Sequence, residues 1–179
     1  VDVHGIQLYN PAFVALDRNA GRIIFTWNNA KMRGLEVYDL QQKRVVLKKK
    51  FQRVNNIVYD NATDRLYGLF SNGGTQSIVR FDKDIENPEV IYAFPFGVSV
   101  FDIDVSHDGK MLSLTRQGDN GEHTLLLFRT DELAQAIFKP EELANWEDSN
   151  LGQFRFSLDD RYLIGSSYYT GVSNLWQIN

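Results

Sequence analysis

Short apolar stretches alternate with polar breaks along this chain, and the arrangement recurs four times. The first unit reads Phe13-Val-Ala-Leu-Asp17, Gly21-Arg-Ile-Ile-Phe25 and Gly34-Leu-Glu-Val-Tyr-Asp39. The second reads Asn56-Ile-Val-Tyr-Asp60, Asp64-Arg-Leu-Tyr-Gly68 and Ser77-Ile-Val-Arg-Phe-Asp82. The third reads Val100-Phe-Asp-Ile-Asp-Val-Ser106, Asp108-Gly-Lys-Met-Leu112 and Thr124-Leu-Leu-Leu-Phe128, and the fourth Gln153-Phe-Arg-Phe-Ser157, Asp160-Arg-Tyr-Leu-Ile164 and Ser173-Asn-Leu-Trp-Gln177. Arg22, Arg65, Lys110 and Arg161 occupy one repeat position, separated by 43, 45 and 51 residues. From each of them to the aromatic of the following strand (Tyr38, Phe81, Phe128, Trp176) takes 16, 16, 18 and 15 residues.

Each unit predicts a strand, a tight polar turn, a second strand, a longer loop and a third strand. The Asn, Asp and Gly of the turns tolerate left-handed backbone angles and bond their own main chain. The second strands are β-branched and aromatic, as a half-buried pleated surface prefers. Fourth strands follow in unit one at Arg44-Val-Val-Leu47 and in unit two at Glu89-Val-Ile-Tyr-Ala93. A repeat of about 40–45 residues with four short strands is the period of a propeller blade. The predicted fold is therefore all-β: a β-propeller of four repeat units, each an antiparallel four-stranded blade, over residues 11–50, 51–96, 97–150 and 151–179.

The phrase Asp104-Val-Ser-His-Asp-Gly-Lys-Met-Leu112 and its echo Phe156-Ser-Leu-Asp-Asp-Arg-Tyr-Leu163 resemble the Ser-x-Asp-Gly-Lys/Arg-x-Leu core of TolB-like, WD-repeat-like propeller repeats. Such repeats occur in periplasmic TolB, in tricorn and prolyl-oligopeptidase-type peptidases, and in large bacterial envelope proteins. The string Gly165-Ser-Ser-Tyr-Tyr-Thr-Gly-Val-Ser-Asn-Leu-Trp176 is most similar to the envelope group. The resemblance spans residues 11 to 179 and implies a fold rather than an activity. Units one and two depart from it, with Asn19-Ala20-Gly21 and Ala62-Thr63-Asp64 in place of Ser-x-Asp-Gly. It implies the periplasm or envelope of a Gram-negative bacterium.

Unit four stops after its third strand, and residues 1–10 are candidates to complete that blade and close a ring of four. The alternative, a partial propeller cut from a longer one, is the favoured expectation, with dimerisation through the exposed blade edges. In unit three, Thr130-Asp-Glu-Leu-Ala-Gln-Ala-Ile-Phe138 and Lys139-Pro-Glu-Glu-Leu-Ala-Asn-Trp146 carry helix-start signals: Thr130 as N-cap, Pro140 at a first helical position, acidic residues behind each. A helical insertion is predicted over 130–147, with Leu133, Ile137 and Phe138 as its apolar stripe.

Composition narrows the chemistry. The formal net charge is -4 and the pI about 5.4, which disfavours nucleic-acid binding, where affinity comes from neutralising phosphates. There is no cysteine, hence no disulfide framework and no thiolate chemistry. No apolar run approaches the ~18–20 residues of a membrane span. Asp104-x-Ser106-x-Asp108-Gly109 opens like a calcium-binding EF-hand loop, but Thr115 stands where a bidentate Glu is required. His4, His107 and His123 lack metal-site spacing and read as solvated turn residues. Gly165-Ser-Ser-Tyr-Tyr169 lacks the closing glycine of a nucleophile elbow. Gly73-Gly74 has no phosphate-loop lysine. The basic cluster Lys43, Arg44, Lys48, Lys49, Lys50 and Arg53 reads as protection of an outer strand edge. No enzymatic activity, cofactor or metal is expected.

The connections between second and third strands emerge on one end of the blades. They pool Trp27, Asn28, Arg33, Asn72, Gln76, Arg116, Asn120, Tyr168 and Tyr169, a mixture suited to protein contact. The leading expectation is a non-catalytic scaffold that binds a protein or peptide on this face. A substrate-gating propeller of a larger peptidase and a carbohydrate-binding propeller are the alternatives.

Overall fold

The computed structural model describes residues 10–28, 33–50, 53–133, 138–147, 151–168 and 170–179. They form four antiparallel sheets, each a meander built in chain order. Blade 1 comprises β1 (Asn10–Asp17), β2 (Arg22–Asn28), β3 (Arg33–Asp39) and β4 (Arg44–Lys50). Blade 2 comprises β5 (Val54–Asp60), β6 (Arg65–Asn72), β7 (Thr75–Phe81) and β8 (Glu89–Ala93). Blade 3 follows with β9 (Ser99–Val105), β10 (Met111–Gln117), β11 (His123–Arg129) and β12 (Glu141–Trp146). Blade 4 has β13 (Leu151–Phe156), β14 (Leu163–Ser167) and β15 (Asn174–Ile178). The first strand of each blade lies innermost, and β1, β5, β9 and β13 pack in succession. Among the described residues β13 does not pack on β1 in the same way. Of residues 1–10, the candidates to complete blade 4, Asn10 begins β1 of blade 1 and residues 1–9 lie outside the described residues.

One expectation is corrected. Glu141–Trp146 is not helical but is β12, the outer strand of blade 3, paired antiparallel with β11 from Leu127↔Glu141 to His123↔Trp146. Two helices of about two turns are too short to hold themselves together in water. The free edge of β11 and the blade core offer more, because Trp146 is buried against Phe154 and Trp176. The repeat is therefore kept where the sequence suggests an interruption. Asp131 to Leu133 form a turn, with Leu133 buried and Phe138 packed on Phe128 and Tyr92. Ile137 lies outside the described residues.

The core consists of layers between blades rather than one centre. Ala15, Ile24, Leu35 and Val37 of blade 1 meet Leu66, Val79 and Phe81 of blade 2. Tyr67, Leu69 and Ile78 of blade 2 meet Leu112, Leu114 and Phe128 of blade 3. Leu125 and Trp146 of blade 3 meet Leu151, Phe154 and Leu163 of blade 4. Each middle blade buries both faces of its sheet. That is why its strands read as nearly continuous apolar runs where a one-sided sheet would alternate.

Polar rungs tie the blades together at three levels, and they repeat. At the inner-strand start, the Val100 N–H donates to Gln76 Oε1 at 2.5 Å, and the Leu151 N–H donates to His123 Nδ1 at 3.0 Å. Gln76 and His123 hold the same position in their blades, two residues before the buried pair Ile78 and Leu125. At mid-strand, β5, β9 and β13 each carry a bulge whose first residue (Asn56, Asp102, Gln153) has positive φ. The Asp102 N–H donates to Asn56 Oδ1 at 3.2 Å, and the Gln153 N–H donates to the Asp102 carboxylate. At the turns, Asn61 Oδ1 accepts from the Arg18 N–H at 2.7 Å, while Asp160 accepts from the His107 and Asp108 N–H groups at 2.7 and 2.9 Å.

His123 is thus buried and structural rather than a solvated turn residue. Because Nδ1 accepts from Leu151, its proton resides on Nε2. Burial holds its pKa below the usual 6.5, against the opposing pull of Asp102. A depressed folded pKa means that this contribution is present above 6.5 and is lost as pH falls through the folded value. His123→Gln, which reproduces the Gln76 arrangement, should fold normally and show a flatter loss of stability below pH 6.5. Urea midpoints of both proteins across this range check it; parallel curves would count against the rung.

Candidate functional site

The inner strands of all four blades enclose a cavity of about 530 Å³ at the end where first and second strands turn. Val14, Leu16, Ile57, Val58, Ile103 and Phe156 supply apolar wall. Val14 and Leu16 remain exposed although they sit on the innermost strand of blade 1. The polar lining comes from Arg18, Asn61, Asp104, His107 and Arg155.

Local chemistry fixes most of these groups. Each turn opens on a side-chain acceptor at one repeat position: Asp17, Asp60, Ser106 and Ser157. Asp17 Oδ1 accepts from the Ala20 N–H at 2.9 Å and Asp60 Oδ1 from Ala62 at 2.8 Å, while Ser106 Oγ and Ser157 Oγ accept from Met111 and Tyr162 at 2.9 and 3.1 Å. The left-handed residue of each turn is Gly21, Asp64, Gly109 or Asp160. At Gly109 a Cβ would stand 2.7 Å from the Asp60 carboxylate, so glycine is required there. Asp160 carries a carboxylate at that position and uses it to hold blade 3, with His107 Nδ1 also 2.8 Å from Oδ1. Ser106 and Asp108 bond each other and the turn backbone, as expected of a hairpin rather than a calcium loop. No cluster of three potential metal ligands occurs among the described residues.

Asp104 accepts from the Phe156 N–H at 2.8 Å, and Arg155 Nε lies 4.0 Å away. Burial pushes its carboxyl above the usual carboxylate range despite these two partners. Arg155 also donates to the Phe154 carbonyl at 2.9 Å. The Arg18 backbone is pinned by Asn61, but its guanidinium takes no side-chain partner among the described residues. The mouth therefore combines an apolar wall with two arginines and a histidine, against one half-buried acid whose ionisation is disfavoured. It suits an extended segment carrying apolar side chains and a carboxylate.

The residues expected to form a contact face are distributed differently. Antiparallel order places the β2–β3, β6–β7, β10–β11 and β14–β15 connections on the end opposite this mouth. Trp27 is buried in the blade 1 sheet, with Lys48 Nζ 5.7 Å from its ring centre. Gln76 is committed to Val100, and Arg116 pairs with Glu142 at 2.9 Å. Asn72 Oδ1 accepts from Arg53 at 3.1 Å, and the Asn120 N–H donates to Glu122 at 3.1 Å. Asn28, Arg33 and Tyr168 are exposed, and Tyr169 lies outside the described residues. Sequence reading missed the axial mouth because its residues belong to strands and turns that look purely structural. The one signal was that Ala15, Val58, Asp104 and Arg155, each two residues before the residue that opens its turn, share a repeat position with mixed chemistry.

Compared with solved structures, the chain is similar over 96% of its length to a structure described as TolB from Agrobacterium tumefaciens, with TM-score 0.74 and 13% identity. TolB from Acinetobacter baumannii matches 88% of the chain with TM-score 0.66 and 17% identity. The fold is that of TolB-type propellers. The chain spans 58% and 38% of these two proteins, respectively. A prolyl endopeptidase structure matches 92% of the chain with TM-score 0.67 and 12% identity, over 25% of its own length. Scans against protein-family models and curated proteins gave no match.

The Asp104 environment yields a test of opposite sign to that of His123. A raised carboxylate pKa contributes stability that is fully present below 3.8 and is lost as pH rises through the folded value. Asp104→Asn keeps an oxygen acceptor for Phe156 and removes the disfavoured charge. The variant should match or exceed the parent in stability at pH 7, with any gain disappearing near pH 3. Chemical denaturation at the two pH values measures this; a loss of more than about 1 kcal/mol at pH 7 would contradict it.

Proposed function

We propose that this protein is a non-catalytic propeller scaffold that binds a protein or peptide segment, in the periplasm or envelope of a Gram-negative bacterium. The observation that carries the reading is the axial cavity, with its apolar wall and, at its rim, an Arg18 guanidinium that has no side-chain partner among the described residues. Rigid blades present these groups without reordering, which lowers the entropic cost of capturing an extended chain. The opposite end, with Asn28, Arg33, Asn72, Asn120 and Tyr168, offers a second contact surface made of loops. TolB-type propellers as neighbours agree with a scaffold role but supply no partner.

Selection from a random-peptide display library on the immobilised protein tests this reading. Selected peptides should contain an acidic group beside apolar residues, and the paired substitution Arg18→Ala with Arg155→Ala should weaken them at least about tenfold. Loss on Tyr168→Ala instead would move the site to the loop end. Failure to select any peptide, or binding indifferent to all three substitutions, would overturn the proposal.

A further inference from the structure

Two asparagines in this chain precede a glycine, Asn72 and Asn120, and both lie in hairpin connections at the same end of the blades. In an Asn-Gly pair the peptide nitrogen attacks the preceding carboxamide most readily, because glycine puts no side chain in the way. The two turns treat that chemistry differently.

At Asn72 the reacting groups are open or assisted. The Asn72↔Thr75 pair closes a two-residue turn in which Gly73 and Gly74 have φ of 56° and 85°. The Gly73 N–H takes no hydrogen-bond partner among the described residues, and the space that a Cβ would fill there is empty. The Asn72 main-chain carbonyl accepts from Thr75 Oγ1 at 2.7 Å, which draws electron density from the Asn72–Gly73 peptide and makes its N–H more acidic. The exposed side chain is engaged by a cation, since Arg53 Nη1 donates to Asn72 Oδ1 at 3.1 Å. Main-chain pairing keeps Arg53 beside the turn, its carbonyl accepting from the Ser71 N–H at 3.1 Å. Negative charge develops on Oδ1 when the nitrogen adds to Cγ, and a guanidinium on that oxygen stabilises it.

At Asn120 the same groups are occupied. The Gly121 N–H donates to the Gly118 carbonyl at 3.2 Å, so the nucleophile is committed to the turn. The Asn120 N–H donates to Glu122 Oε2 at 3.1 Å, and a carboxylate there opposes a developing anion.

We propose that Asn72 is the site at which the folded protein deamidates, with Arg53 promoting ring closure. The Gly73 nitrogen gives its proton to solvent and bonds to Cγ. The Cγ–Nδ2 bond breaks, the nitrogen leaves as ammonia after taking a proton from solvent, and a succinimide ring remains. Water then opens either ring carbonyl, leaving aspartate or isoaspartate, and no co-reactant but water is consumed. Either product sets a carboxylate against Arg53 at the loop end. Isoaspartate also lengthens the main chain by one atom, in the turn where the Gly74 carbonyl accepts from the Gly97 N–H at 3.0 Å and Phe96 lies against Gly74.

Trypsin releases the two asparagines on separate peptides, 66–80 and 117–129. The folded chain is aged at mildly alkaline pH, digested briefly under mildly acidic conditions, and its peptides are weighed by mass spectrometry. Peptide 66–80 should gain one mass unit and split into aspartate and isoaspartate forms, at least about fivefold faster than peptide 117–129. In urea the two rates should come close together, because the difference belongs to the fold. Arg53→Ala should slow the reaction about two- to fivefold, and Arg53→Lys should slow it less. Arg53 is exposed, and circular dichroism confirms that both variants are folded. Equal rates in the folded chain, faster reaction at Asn120, or no mass gain in peptide 66–80 would overturn the proposal. An Arg53→Ala rate equal to or above that of the parent would overturn it equally.

Discussion

A left-handed residue in the middle of an inner strand turns a peptide group out of the ladder, and that group must find a partner elsewhere. Here the partner comes from the neighbouring blade. Asn56 receives the Asp102 N–H, and Asp102 receives that of Gln153, so one constraint recurs from blade to blade. The second residue of each bulge (Ile57, Ile103, Phe154) is swung into the apolar layer and buried. The bulge therefore sets both the polar rung and the plug beside it. Each rung is worth about 0.5–1.5 kcal/mol net, but leaving the buried group unpaired would cost more. The rungs fix blade orientation, while the apolar layers supply most of the stabilisation.

This arrangement also produces the candidate site. Side chains just beyond the bulge, Val58, Asp104 and Arg155, line the axial cavity together with Val14 and Ala15 of β1, whose own register shift lies nearer its start, between Pro11 and Phe13. Since bulge geometry and turn bonds hold the backbone on both sides, variation at these positions changes the lining without moving the walls. Rigid support with variable lining is what allows this repeat to serve many roles.

The sequence made the repeat period, the strands and the hairpin turns legible, because alternating apolar residues and Asn/Asp/Gly turns report local physics. It misreported Glu141–Trp146, whose local signals favour a helix and whose fate is set by the vacant edge of β11. It also left Gln76 and His123 as loop residues. Their role becomes visible only when equivalent positions are superposed and each is seen to accept the N–H of the next inner strand. The axial mouth was not legible because it is assembled from residues about one repeat apart in sequence, each unremarkable alone. Trp27 shows the converse: a tryptophan beside a polar loop suggested a contact surface, yet it fills the sheet face of blade 1.

The account stands on the claim that blades are joined by specific backbone-to-side-chain bonds as well as by apolar contact. Amide hydrogen exchange followed residue by residue by NMR tests this most directly, at Arg18, Val100, Asp102, His107, Leu151 and Phe156. All six donate to a side chain of another blade. Protection close to that of the central strand amides, such as those of Leu69 and Leu114, is the expected result. Exchange at the rate of open loops would contradict it and reduce the blades to sheets held only by their apolar faces.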